Sequence, residues 1–258
     1  MALAGTHPRT LIRSTDRSTK SKSVISSILW ALIVIAFPVA SGVIVVASNA
    51  DATASRLIQA AFMYASIIIP PLVYCKVKKI ALKDILLTGI DKEGLTKTLF
   101  YLPLIAVLLP MIVSGVDLSH TGYVLATLLF TLGVGIAEEL YFRGIILRLL
   151  GKSFGPLPVV FISVLIFGTS HASGAFVASS LVIVLLSILN AFLFGWIAAE
   201  TALITKNIIP LMIFHCLFDS FTYQMLATGN AMIVLLRCAW SIDDNRGRLS
   251  ADQTKAAV

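Results

Sequence analysis

Three short stretches carry nearly all the ionisable side chains that fall inside apolar sequence: AEELYFR (Ala137–Arg143), FGTSH (Phe167–His171) and HCLFD (His215–Asp219). A charge at bilayer depth costs several kcal/mol on most scales, so ionisable groups are placed there for a reason. Their spacings are helical. Glu139 and Arg143 are four residues apart, which faces them toward each other as an ion pair on one helix. Glu138 sits about 100° around that helix and is left to point elsewhere. His215 and Asp219 share a face by the same rule, as do Phe167 and His171. Carboxylates and imidazoles gathered in a low-dielectric setting are groups that move protons, ligate metal or join helices as polar partners.

The elements that must position them are membrane helices. The 258-residue chain is 58% hydrophobic and only 13% charged, whereas soluble domains sit near about 25% charged. Apolar runs at 24–47, 57–75, 99–115, 122–149, 157–171, 176–199, 208–226 and 231–240 predict an all-α, polytopic transmembrane bundle of about eight spans. Long runs without alternation exclude barrel strands. The first run is too long for the core of a cleavable signal and is read as a retained helix. The net charge of +7 comes from loop lysines and arginines without interleaved aromatics, which argues against nucleic acid as a partner. With both termini cytoplasmic, all basic residues lie inside except Arg56 and the two within spans, Arg143 and Arg237. Residues 1–23 read as a disordered basic head and 241–258 as a polar tail, flanking one transmembrane domain at 24–240. The loop at 77–97 mixes charged and apolar residues and is expected along the membrane surface. Cys75, Cys216 and Cys238 give neither a disulfide framework nor a zinc-finger pattern.

Depth can be counted from the loops. Glu138 is fourteen residues from Lys152 and His171 fourteen from Leu157, so both lie about 21 Å from the cytoplasmic surface. His215, eight residues past Asn207, would be only about 12 Å deep. Convergence therefore requires either helix tilt or a Lys206-Asn207 turn buried within the protein.

EELYFR, FGTSH and HCLFD fit EExxxR, FxxxH and Hxxx(N/D), in that order and on separate apolar segments. Together they resemble the CPBP family of intramembrane proteases, which includes the type II CAAX prenyl endopeptidases and bacterial Abi and lysostaphin-resistance-like proteins. The resemblance covers about 120–225. It implies an intramembrane endopeptidase, a hydrolase acting on membrane-anchored or lipidated peptides or proteins. It implies Glu138 as the base that activates water, His171 as its helper and His215 as the donor to the developing oxyanion. Glu139 and Arg143 would be a supporting ion pair, with Phe167 packed beside His171. Asp219 departs from the asparagine of the prenyl endopeptidases. An ionised carboxylate cannot donate to an oxyanion, so Asp219 is expected to fix the His215 tautomer or to stay protonated. A metal stays open at this point, because Glu138, His171, His215 and Asp219 form a zinc-like donor set and the family is often labelled metalloprotease. HExxH and GxGD motifs are absent, and Gly168-Thr169-Ser170-His171 lacks the final glycine of a serine-type GxSG. The alternative reading is a non-catalytic relative, a membrane scaffold or bacteriocin-immunity protein. A proton-relay transporter is disfavoured by the lack of internal repeats. If the source is bacterial, the protein resides in the cell membrane among its lipids.

Overall fold

The computed structural model describes residues 17–86, 98–113, 118–176 and 181–228, and among them every regular element is helical. In chain order these are α1 (Arg17–Ser48), α2 (Ala52–Lys78), α3 (Leu82–Leu86), α4 (Leu102–Val113), α5 (Thr121–Gly151), α6 (Pro156–Ser170), α7 (Leu181–Thr205) and α8 (Ile209–Thr228). Among the described residues, five helices are long and apolar enough to cross a membrane: α1, α2, α5, α6 with the turn after it, and α7. Their exposed leucines, isoleucines and valines, such as Leu32, Ile69, Leu129 and Leu193, suit a lipid solvent, making this an integral membrane protein. The third apolar run gives only the short helix α4 after a 3-10 turn at Thr98–Tyr101. The run at 231–240, like most of the expected head and tail, lies outside the described residues. Residues 17–23 do not join a disordered head. They form the first turns of α1, where Ser23 bonds Ser153 at 2.7 Å and Lys20 lies over the Phe154 ring.

Helix ends follow local chemistry. Asp51 caps α2, its Oδ1 accepting from the Ala54 N–H at 2.8 Å. Pro156 opens α6 at a position where its missing N–H costs nothing. Between α7 and α8 the chain turns at Lys206, in the left-handed region at φ 56°, and the Asn207 side chain accepts from the Ile209 N–H. The Tyr101 hydroxyl lies 2.8 Å from both the Thr205 hydroxyl and the Asn207 carbonyl, covering this turn. Asn207 and Ile208 are buried while Lys206 is exposed.

Helix α5 is the axis of the bundle. It packs between α2 and α8, and its C-terminal half is surrounded by α1, α3, α6 and α7. Gly135 lets α8 approach closely: a Cβ there would come within 2.8 Å of the Met212 carbonyl and 2.9 Å of the Cys216 amide on α8. Immediately beyond Glu139 the helix widens into a π-helical stretch, Leu140–Ile146, with the Leu147 N–H bonded to the Phe142 carbonyl. All seven residues of this stretch are buried. Stretches of this kind recur at functional sites. A Cβ on Gly144 would run into the Ile85 carbonyl of α3, so glycine is what lets α3 dock there. In the described part of the 77–97 loop Lys78, Lys79, Leu82 and Lys83 are exposed, and Ile85 is the residue turned inward. Ile85 is fully buried, and Arg148 donates to the Asp84 carbonyl at 3.2 Å.

One contact shows how the bundle handles helix-breaking residues. Pro70 in α2 has no N–H, so the Ser66 carbonyl loses its helical donor. The Tyr141 hydroxyl, from the π-helical stretch, donates to that carbonyl at 2.9 Å. Tyr141→Phe is expected to lower stability by about 1–3 kcal/mol, the cost of a buried acceptor left unmade. Pro70→Ala restores an N–H at position 70, so the same change made on that background should cost little. Equal losses of thermal stability in the two backgrounds would disprove this account.

Candidate active site

The π-helical stretch and the α5–α8 contact bring the acidic pair of α5 against His215 of α8. His215 Nδ1 lies 3.0 Å from Glu139 Oε1, and the same oxygen lies 3.2 Å from Arg143 Nη1. Glu139 is fully buried, Arg143 nearly so, and His215 is 1% exposed. A carboxylate can only accept, so Nδ1 carries the proton and the imidazole is fixed with Nε2 turned away from Glu139. That nitrogen faces two further carboxylates, Glu138 Oε2 at 3.7 Å and Asp219 Oδ2 at 3.8 Å. Both distances exceed a direct hydrogen bond and leave a gap at the centre of the three groups.

Arg143 is held by rings as well as by charge. Its guanidinium carbon stands 4.2 Å above the Phe167 ring centroid and 5.6 Å from that of Phe194. Phe167 in turn packs edge-on against His171 at 4.9 Å and against Phe142 at 4.8 Å. Gly195 makes room for this stack, since a Cβ there would come within 2.9 Å of the Phe167 ring. A cation over an aromatic face is stabilised by the ring quadrupole where water is excluded.

His171 ends α6, and its Nδ1 lies 3.1 Å from the Phe167 carbonyl. With Nδ1 donating to that carbonyl, Nε2 is the nitrogen able to accept. His171 and Glu138 line one cavity together with Val34, Ile35 and Pro38 of α1, Met63 of α2, Phe142, Ser170 and Ser173. The Ser170 hydroxyl donates to the Phe167 carbonyl at 2.6 Å, which leaves it badly placed to serve as a nucleophile.

The two glutamates are thereby sorted. Glu138 is 22% exposed and reaches the cavity, whereas Glu139 has no exposure and holds Arg143 and His215. The expectation that Asp219 fixes the His215 tautomer gives way here, because the bond to Nδ1 comes from Glu139. Sequence spacing also missed the α1 wall of the cavity and the π-helical stretch. Pro38, in mid-span, was the available signal for the first.

Zinc requires three or four donors converging at about 2 Å. Among the described residues no group of three or more His, Cys, Asp or Glu side chains is placed to hold a metal ion. None of the chemistry below is routed through a metal.

A buried carboxylate–imidazole centre opening on a cavity in an all-helical bundle defines a polytopic membrane protein with the parts for acid–base chemistry. Residues 120–221 match the family model described as type II CAAX prenyl endopeptidase Rce1-like. The match contains every one of Glu138, Glu139, Arg143, Phe167, His171, His215 and Asp219, and it bears out the resemblance to the CPBP family. No curated protein and no solved structure matches the chain.

Proposed function

We propose that the protein is an intramembrane endopeptidase that hydrolyses peptide bonds of membrane-anchored or lipidated substrates. The observation that carries this reading is the division of the carboxylates, one facing the cavity beside two imidazoles and one buried behind His215. Water beside Glu138 loses a proton to its carboxylate as its oxygen attacks the scissile carbonyl carbon. His171, on the cavity wall, orients that water through Nε2. Negative charge on the carbonyl oxygen is met by His215 Nε2–H in the imidazolium form, with Glu139 stabilising the positive ring through Nδ1. The tetrahedral intermediate collapses by breaking the C–N bond, and the proton held by Glu138 passes to the leaving amine. Peptide and water enter, and a carboxylate and an amine leave.

Basic residues support a cytoplasmic position for the N-terminal end of α1. The contacts of Lys20 with Phe154, Ser23 with Ser153, and Arg148 with the Asp84 carbonyl gather the basic ends of α1, α2 and α5 at one side.

Asp219 tests the mechanism against a metal. Its 3.8 Å separation from Nε2 makes it a neighbour rather than a bonded partner of His215. Asp219→Asn keeps the shape and adds an N–H beside the oxyanion position. Activity is expected to fall by less than the roughly 10²–10³-fold that follows loss of one oxyanion donor. Activity and zinc content of the purified variant decide the matter. If the two collapse together, the water is activated by a metal and the glutamate mechanism is wrong.

A further inference from the structure

Helix α1 lies outside the stretch that matches the family model, yet Val34, Ile35 and Pro38 form one wall of the cavity holding Glu138 and His171. Pro38 stands inside α1 and is exposed, whereas Val34 is buried. Proline has no N–H, so the carbonyl four residues back, that of Val34, loses its helical donor on the proline-bearing face. A carbonyl at membrane depth needs a replacement partner. At Pro70 the protein supplies one, the Tyr141 hydroxyl. Of the cavity's other lining side chains, Met63 and Phe142 have no donor, the Ser170 hydroxyl is given to the Phe167 carbonyl, and Ser173 carries a further hydroxyl. Val34, whose carbonyl Pro38 deprives of its helical donor, thus lines the same cavity as the carboxylate proposed to activate water.

We propose that the Val34 carbonyl is a substrate-docking acceptor, taking an N–H from the extended backbone of a peptide whose scissile carbonyl lies at Glu138. Val34, Ile35, Met63 and Phe142 give an adjacent apolar side chain of that peptide its seat. An extended segment suits this role because its N–H groups are unspent and available to a wall acceptor. The inference rests on the proteolytic reading of the site. Pro38 is then a positioning residue, acting through the carbonyl it releases.

The test separates the missing N–H from the kink. Binding of a dansyl-labelled, S-farnesylated tetrapeptide is measured on the detergent-solubilised full chain carrying Glu138→Gln, so that cleavage plays no part. Pro38→Ala returns an N–H to the Val34 carbonyl and is expected to raise Kd roughly three- to tenfold, the worth of one hydrogen bond. Replacing Pro38 with lactic acid removes the ring but still supplies no N–H, and is expected to keep Kd within about twofold of the Pro38 parent. With Glu138 restored, Pro38→Ala should raise KM for the same peptide by a similar factor and leave kcat in place. Equal binding by the parent and the Pro38→Ala variant overturns the proposal, as does equal weakening by alanine and lactic acid, which would make the kink the cause. Failure of the Pro38 parent to bind the peptide also overturns it. These outcomes are independent of the catalytic reading, which fails only if Glu138→Gln still cleaves.

Discussion

Glu138→Gln is expected to lower peptide hydrolysis by roughly 10²–10⁴-fold, the usual worth of a positioned general base, while leaving the protein folded. Glutamine keeps the volume and the acceptor oxygen of the side chain but cannot take a proton from water. The fold should tolerate the change because Glu138 is the less buried of the two glutamates, and its Oε2 accepts no hydrogen bond within the described structure. Its removal also relieves crowding among three carboxylates that face at most two positive groups, Arg143 and protonated His215. The checks are cleavage of a membrane-anchored peptide by purified protein and the unfolding temperature of the same sample. Retained cleavage would reassign the base, with His215 and its Glu139 partner next in line by analogy with the histidine–carboxylate pair of serine hydrolases.

Much of this site was legible in the sequence because charge in an apolar segment is rare and helical periodicity is strict. The spacing of Glu139 and Arg143 gave their ion pair, and the spacing of Phe167 and His171 gave their ring contact, since both pairs depend only on local geometry. The depth count pointed to the Lys206-Asn207 turn, where Asn207 is buried and Lys206 exposed. What spacing could not show was the choice of partners between helices. Glu139 serves His215 as well as Arg143 only because Gly135 brings α8 against α5, and nothing in HCLFD specifies that approach. The π-helical stretch was hidden for a related reason. LYFRGII reads as ordinary apolar helix, and its widened turn is tied to packing from α1, α3, α6 and α7 rather than to a local signal. The span count suffers from the same limit. A run such as 99–115 has the hydropathy of a membrane helix, yet its described residues open with a 3-10 turn anchored by Tyr101 before the helix Leu102–Val113.

Arg143→Ala should act on the fold. Removing the guanidinium leaves Glu139 buried, with His215 as its one remaining charge partner among the described residues, and empties the space over the Phe167 and Phe194 rings. Breaking a buried ion pair from one side costs about 3–5 kcal/mol. For a chain of this size that corresponds to an unfolding temperature lower by roughly 6–20 °C. Lysine should rescue poorly, because an ammonium cannot lie flat over the Phe167 ring as the planar guanidinium can. The loss should be partly recovered in the double variant Glu139→Gln, Arg143→Met. No carboxylate at position 139 is then left without its guanidinium, the methionine fills the space beside the rings, and the glutamine oxygen can still accept from His215 Nδ1–H. Thermal unfolding of the single and double variants beside Glu138→Gln decides between structural and catalytic roles. If Arg143→Ala unfolds no earlier than Glu138→Gln, or the double variant is no more stable than Arg143→Ala, then the buried pair does not support the site as described.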